Sequence, residues 1–301
     1  MTLVIWNGNA GGKRIGGGPA SADEVKALLA RHGIEADVRA TASDDEARSL
    51  LKEALARRDE LVIAAGGDGT IGALVPDLMD CPMALGILPF GSVMNVARML
   101  GIPRDPEAAA EDLAGGVVRE IDVGVADDEA FLETGSVGMN AAMFREAERF
   151  GDGDWTSIVR TIWVAIRYRP ARMSIELDDR TLTTRALMVT ASNGPYVGAG
   201  MTVAPDAQLD DGLLDVGVWR RFSKFELLHH LVSIAFGRRR YTPQVDMYRS
   251  RTVRITSAHP LPSRADSRDL GATPVEFTVR PGALRVIVPR GPEDAGATGL
   301  P

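Results

Sequence analysis

Over its first third the chain alternates short apolar runs with amphipathic stretches that carry helix-start signals, and few folds satisfy that rhythm. Leu3 to Trp6 reads as a buried strand, and the glycine-rich Asn7-Gly-Asn-Ala-Gly-Gly-Lys13 behind it as a loop. Ser21 with Glu24, and again Ser43 with Glu46, form capping-box patterns before "VKALLARHG" and "ARSLLKEALARR", with Gly33 ending the first helix. Ala36 to Arg39, Leu61 to Ala65 and Met83 to Leu88 supply the intervening strands. Strands separated by helices mean βαβ units, a mostly parallel sheet, and ligand binding at the carboxyl ends of the strands.

Beyond residue 120 the rhythm changes. Ile121–Val125, Phe131–Val137, Met173–Leu177, Leu182–Ala191, Leu214–Trp219, Val253–Thr256, Val275–Val279 and Leu284–Val288 all read as strands. Turn signals at Asp178-Asp179 and Pro281-Gly282 separate neighbours, which predicts antiparallel β structure. Helical patterns interrupt it at 155–168 and 223–236. The expected organisation is an α/β lobe over 1–120, a β-rich antiparallel sandwich lobe over 121–290 and a loose tail over 291–301, with a cleft between the lobes.

Composition narrows the function. With 34 Lys+Arg against 41 Asp+Glu the net charge is −7, which argues against a general nucleic-acid binder held by phosphate contacts. Cys81 is the single cysteine, so an internal disulfide and a cysteine-based zinc site are excluded, as suits a reducing cytosol. The apolar start is short and uncharged, unlike a signal peptide, and no apolar stretch approaches the length of a membrane span. A cytoplasmic chain without a transmembrane segment is expected.

The chemistry concentrates in "LVIAAGGDGTIGAL", residues 61–74. A strand ending on Gly66-Gly67-Asp68-Gly69-Thr70 with a helix behind it gathers backbone N–H groups at a positive helix end, a setting for phosphate oxygens. Asp68 then implies a divalent cation between carboxylate and phosphate, or handling of a proton on a second substrate. Read as structure alone, the stretch is a tight turn capped by an aspartate. "LGILPFGSVMNVARMLGIP", residues 85–103, is a second such junction, where Gly91-Ser92 can donate to the same phosphates or simply form a βα loop with a serine N-cap.

Together these junctions resemble the lipid kinases of the diacylglycerol kinase and sphingosine kinase type. "SNGPYVGAGMTVAPDAQLDDGLLDV", residues 192–216, is similar to that family's second-lobe signature, and the resemblance runs from Leu3 to Pro289. It implies a NAD kinase-like α/β lobe, ATP and magnesium as cofactors, and a nucleotide held by Asn7 to Gly11, Thr41, Gly66, Gly67, Asp68, Gly69, Thr70, Ile71, Gly72 and Ser92. Asn7-Gly8-Asn9-Ala10-Gly11 stands where the family usually reads N-P-x-x-G, Ser92 replaces a threonine, and Met94-Asn95 replace Asn-Asp. The Asn-Asn-Glu segment of the distant NAD kinases is absent.

In the second lobe the resemblance implies a structural magnesium on the Asp211 carboxylate and the Gln208 and Leu213 carbonyls, with Asp210 joining Asp68 around a catalytic ion. Without the family, Asp210-Asp211-Gly212 is a plain β-turn. At "RADSRDLG", residues 264–271, the family's D-G-E becomes Asp266-Ser267-Arg268. A guanidinium cannot accept a proton at neutral pH, so Asp266 is expected to serve as base, with Arg268 stabilising charge on the transferred phosphoryl. "WTSIVRTIWVAIRYRPAR" (155–172) and "FGRRRYTP" (236–243) are basic and aromatic, and read either as contacts to an anionic membrane surface or as a core helix and a solvated loop.

The leading reading is a cytoplasmic, peripherally membrane-associated, ATP- and magnesium-dependent kinase of a diacylglycerol-like or long-chain-base lipid, for which a homodimer is an allowed state. A catalytically impaired nucleotide- or lipid-binding homologue, motivated by Arg268, and a kinase of a soluble substrate are the alternatives.

Overall fold

The computed structural model describes residues 2–8, 21–148, 161, 163–164, 167–198, 200–220 and 245–291. Gly11, the helix expected at 223–236, the basic segment 236–243, the tail beyond 291 and most of the helix expected at 155–168 lie outside the described residues. Two compact units divide the chain, Met1–Val123 with Pro281–Pro301, and Gly124–Arg280. The expected lobe of 121–290 is corrected in one respect, because the last strand returns to the first unit.

The first unit is built from β1 (Thr2–Trp6), α1 (Ala22–Arg31), β2 (Ala36–Ala40), α2 (Asp44–Arg57), β3 (Leu61–Gly66), α3 (Asp68–Leu78), β4 (Ala84–Pro89), α4 (Asn95–Met99) and α5 (Pro106–Gly115). Its strands run parallel in the order β2-β1-β3-β4. β3 and β4 are buried almost throughout, as strands covered on both faces must be, which is why they read as unbroken apolar runs. The helices start where the serine signals put them: Ser21 Oγ accepts the Glu24 N–H and Ser43 Oγ the Glu46 N–H, each at 3.3 Å. Glu46 reaches back one residue past the cap to accept the Ala42 N–H at 2.8 Å, a variant of the capping box. α5 was not anticipated, although Asp105 caps it by accepting from Ala108 N–H at 3.0 Å and Pro106 opens it.

The second unit holds β6 (Glu129–Phe131), β7 (Thr134–Gly138), α6 (Met139–Glu148), β8 (Ala171–Glu176), β9 (Thr181–Ala186), β10 (Met188–Ser192), β11 (Tyr196–Val197), β12 (Met201–Thr202), β13 (Leu214–Trp219), β14 (Val245–Ser250), β15 (Thr252–Ser257), β16 (Pro262–Ala265) and β17 (Arg268–Ala272). β5 (Val117–Ala126) leads into this unit and β18 (Val275–Val288) out of it. β14, β13, β10, β7, β16 and β17 form one antiparallel sheet, while β15 joins β18 to β8 and β9 in another. Side chains of both sheets share one core that includes Phe131, Val137, Ile175, Val189, Val216, Ile255 and Phe277. This is the expected antiparallel sandwich.

Four expected strands, in three stretches, are redrawn. Phe131–Val137 splits into β6 and β7, because the amides of Leu132 and Glu133 turn to the Asp266 carboxylate instead of a neighbouring strand. Leu182–Ala191 splits at Leu187, whose N–H donates to the Trp219 carbonyl at 2.8 Å. Val275–Val288 is one strand rather than a hairpin: Pro281 has no N–H to give, and the Gly282 N–H donates to Asp122 Oδ1 at 2.8 Å.

Aromatic packing sets the glycine requirement of the sandwich. Phe131 and Phe277 meet edge to face with centroids 6.1 Å apart. A Cβ on Gly124 would lie 2.2 Å from Phe131 Cζ, and one on Gly135 2.3 Å from Phe277 Cε1. Gly124→Ala is therefore expected to cost roughly 1–3 kcal/mol of stability in urea denaturation. Combining it with Phe131→Leu should cost less than the two changes summed; a neutral Gly124→Ala contradicts this account of the core.

Candidate functional site

The carboxyl ends of the parallel strands bring most of the expected nucleotide residues of the first unit to one edge. Asn7 follows β1 and donates its N–H to the Ala65 carbonyl at 3.0 Å, and Thr41 follows β2 and donates to Trp6 at 2.9 Å. Gly66 ends β3 beside Pro89 of β4, and Phe90 N–H donates to the Gly66 carbonyl at 2.9 Å. Asn7 Nδ2 reaches Thr70 Oγ1 at 3.4 Å. Asn7, Thr41, the run from Gly66 to Gly72 and Ser92 thus lie on or beside one rim.

Two kinds of glycine stand here. A Cβ on Gly66 would lie 2.4 Å from Thr70 Oγ1, and one on Gly91 would lie 2.6 Å from both Gly67 Cα and Met94 Sδ. Gly91 lets the two junctions touch backbone to backbone at Gly67, and Gly66 makes room for the Thr70 side chain. Nothing lies within 4 Å of a Cβ on Gly69 or Gly72, so packing does not require glycine at either place. They leave the first turns of α3 bare next to the helix start, where unpaired N–H groups and the helix dipole favour an anion.

Asp68 has a different occupation from the cap of its own turn. Oδ2 accepts the Asn95 N–H and Oδ1 the Val96 N–H, both at 3.0 Å, so the carboxylate caps α4 from the neighbouring junction. α4 needs that service, because its own N-cap is Met94, left-handed at φ 58° and without a capping side chain. The expected serine N-cap at Ser92 is corrected accordingly. Gly91 N–H donates to Met94 Sδ at 3.2 Å, so this amide is turned inward to a thioether. Arg104, which no sequence motif singles out, donates from Nη2 to the Ser92 carbonyl at 2.6 Å and places a cation at the rim.

In the second unit the Asp266 turn is bolted to the segment between β6 and β7. Asp266 Oδ2 accepts the Leu132 N–H at 2.8 Å, and Oδ1 accepts those of Glu133 and Thr134 at 3.0 and 2.9 Å. Its own N–H donates to the Thr134 carbonyl at 3.1 Å, and Arg264 Nε donates to its carbonyl at 2.8 Å, holding the residue at φ 45°. A carboxylate offers about four lone-pair positions, and three are spent on these amides, so Asp266 is a backbone clamp rather than the free proton acceptor expected. Arg268 is also committed: Nη1 pairs with Glu129 Oε2 at 2.6 Å, which corrects its reading as a cation free for the phosphoryl group. Beside them Arg145 grips Asp269 with a 2.5 Å contact, and this bonding holds the Asp269 carboxyl below the usual range.

The loop before β13 carries the expected cation residues. Asp211 Oδ1 accepts the Leu213 N–H at 3.0 Å, whereas Oδ2 is buried without a hydrogen-bond partner. Asp215 Oδ2 is orphaned in the same way, and burial pushes the Asp215 carboxyl up against the opposing pull of Arg249. Gln208 and Asp210 are exposed. Among the described residues no three His, Cys, Asp or Glu side chains gather as a metal cluster, so an ion here would take carboxylate, backbone carbonyl and water oxygens. Buried carboxylate oxygens without partners fit a hard divalent cation.

An α/β unit with a glycine-lined strand edge, joined to an antiparallel sandwich, is the architecture of the diacylglycerol kinase type. The chain belongs to this family of lipid kinases: residues 1–126 match the diacylglycerol kinase catalytic domain and residues 136–288 the YegS C-terminal NAD kinase beta sandwich-like domain. It is 31% identical over 279 residues to a YegS-like probable lipid kinase of Pseudomonas fluorescens, covering 89% of this chain and 91% of that one. It is 26% identical over 264 residues to the diacylglycerol kinase of Bacillus subtilis, covering 86% and 87%. A diacylglycerol kinase structure from Bacillus anthracis shares the fold at a TM-score of 0.72 and 19% identity, covering 97% of each chain. Among the described residues no helix is long and apolar enough to cross a membrane.

Removing the Asp266 clamp strands three amides at once. Asp266→Ala should lower stability by about 3 kcal/mol in chemical denaturation, and Asp266→Asn by less, since it keeps an acceptor. Equal, negligible losses for both variants contradict the clamp.

Proposed function

We propose that the protein transfers the terminal phosphoryl group of ATP, with magnesium, to the hydroxyl of a diacylglycerol-like or long-chain-base lipid. The observation that carries the reading is the bare start of α3: glycines that packing does not require, at the rim where four parallel strands end. Asn7, Thr41, Gly66 to Gly72 and Ser92 line the phosphate space, to which the amides at the start of α3 and the hydroxyls of Thr41 and Ser92 donate, and Gly11 belongs to the same loop in sequence. Arg104 adds positive charge to that rim. Asp68, with lone pairs left beyond its two amides, attracts the catalytic magnesium, which supplies charge neutralisation on the phosphates. Gln208, Asp211 and Leu213 hold a structural ion. Asp266 fixes its turn through its three amide bonds, and a loose transition state asks little of a base.

Among the described residues, one surface feature suits lipid. Trp163 is 54% exposed, and the Arg167 guanidinium stacks on its ring at 4.1 Å. An amphipathic indole beside an arginine suits the headgroup layer of an anionic membrane, where the protein would meet its substrate.

A second reading, a homologue that binds without turnover, is favoured by the Arg268–Glu129 pair and by the Gly91 amide turned to Met94. Labelled ATP, magnesium and a panel of diacylglycerols, long-chain bases and soluble alcohols separate the two. Transfer to a lipid supports the kinase; ATP binding with no transfer to any acceptor supports the silent homologue. Gly69→Ala and Gly72→Ala should leave the melting temperature unchanged or raise it, since alanine favours a helix by up to about 1 kcal/mol. The same changes should weaken ATP binding at least about tenfold, as a methyl intrudes on the phosphate space. Unchanged ATP affinity in both variants overturns the phosphate role of this helix start.

A further inference from the structure

The second unit contains a charge arrangement that phosphoryl transfer does not use. Asp215 of β13 and Arg249 of β14 face each other directly in the antiparallel register. From there the guanidinium reaches over the loop that precedes β13. Nε lies 3.4 Å from Asp215 Oδ1, Nη1 lies 3.6 Å from Asp211 Oδ2, and Nη2 donates to the Asp206 carbonyl at 3.2 Å. These are loose contacts beside the roughly 2.7–2.9 Å of a charge-assisted bond. Asp211 Oδ2 and Asp215 Oδ2 remain buried with no hydrogen bond, although the Asp215 side chain is only 7% exposed. One positive charge faces two carboxylates, and an underpaired buried carboxylate is costly.

We propose that Arg249 is a built-in counter-cation that shares Asp211 and Asp215 with a divalent cation. Without the ion, the guanidinium offsets enough negative charge to keep the loop in place. With the ion bound to the orphaned oxygens, neutralisation is complete, and the nearby guanidinium holds the affinity down. The inference rests on the reading of Gln208, Asp211 and Leu213 as a cation loop and goes beyond it by giving Asp215 and Arg249 opposite effects: the carboxylate draws the ion in and the arginine sets how tightly it stays. Two parallel routes to charge balance make the fold less dependent on cation supply than an all-carboxylate loop.

The full-length protein, stripped with chelator and titrated with magnesium or calcium alone, tests this by calorimetry and thermal melting. Arg249→Met should lower the melting temperature in chelator, tighten cation binding about tenfold, and regain its lost stability when the cation is added. Arg249→Gln, a second neutral variant, should behave alike, whereas Arg249→Lys should keep the wild-type affinity. Asp215→Asn should weaken the cation with or without Arg249. Cation binding by the wild type that is no tighter in either neutral variant overturns the role of Arg249. No binding of magnesium or calcium by any variant, or binding unaffected by Asp211→Asn, overturns the cation loop itself, whatever the transfer assay reports about the kinase.

Discussion

The first unit depends on a contact that only the absence of side chains permits. Gly67 and Gly91 meet so closely that a Cβ on Gly91 would lie 2.6 Å from Gly67 Cα. That approach brings the start of α3 next to the loop before α4, and the Asp68 carboxylate then ties the two together through the Asn95 and Val96 amides. The glycines at the end of a buried strand therefore have two physical origins. Gly66 and Gly91 are demanded by neighbours, while Gly69 and Gly72 face open space. Only the second kind calls for a ligand.

A carboxylate that captures distant backbone amides is the device this chain uses repeatedly. Asp266 holds residues 132–134, Asp178 holds the amides of Arg251 and Thr252 at 2.7 and 3.0 Å, and Asp122 holds Gly282. Each such bond to a charged acceptor contributes about 1.5–3 kcal/mol, and deleting the acceptor leaves amides without partners. This colours any mutational dissection of the site. Loss of activity on replacing Asp68 or Asp266 mixes lost chemistry with a loosened backbone, whereas Gly69 and Gly72 report on the ligand alone.

Much of the first unit was legible because its signals are local. Ser21 and Ser43 sit beside the amides they cap, and β3 and β4 are apolar on both faces, so caps and strands could be read from neighbouring letters. The second unit hid more. β16 and β17 are short and polar, "PSRA" and "RDLGA", and their pairing is visible only with β7 beside them. The break at Leu132 is set by Asp266, 134 residues away, and the reach of β18 past Pro281 by Asp122. Family resemblance found Asp211, but not Asp215 or Arg249, whose meeting depends on strand register. Chemical reasoning on the altered D-G-E segment placed a base at Asp266 and a free cation at Arg268, whereas Leu132 to Thr134 and Glu129 engage both side chains.

On the proposed reading, the two touching glycine junctions form one cradle for the phosphates of ATP. Hydrogen–deuterium exchange of the full-length protein, with and without ATP and magnesium, checks this. Slower exchange is expected together in the peptides covering residues 66–72 and 90–96. Nucleotide-dependent protection elsewhere in the chain, with both of these segments unchanged, contradicts it.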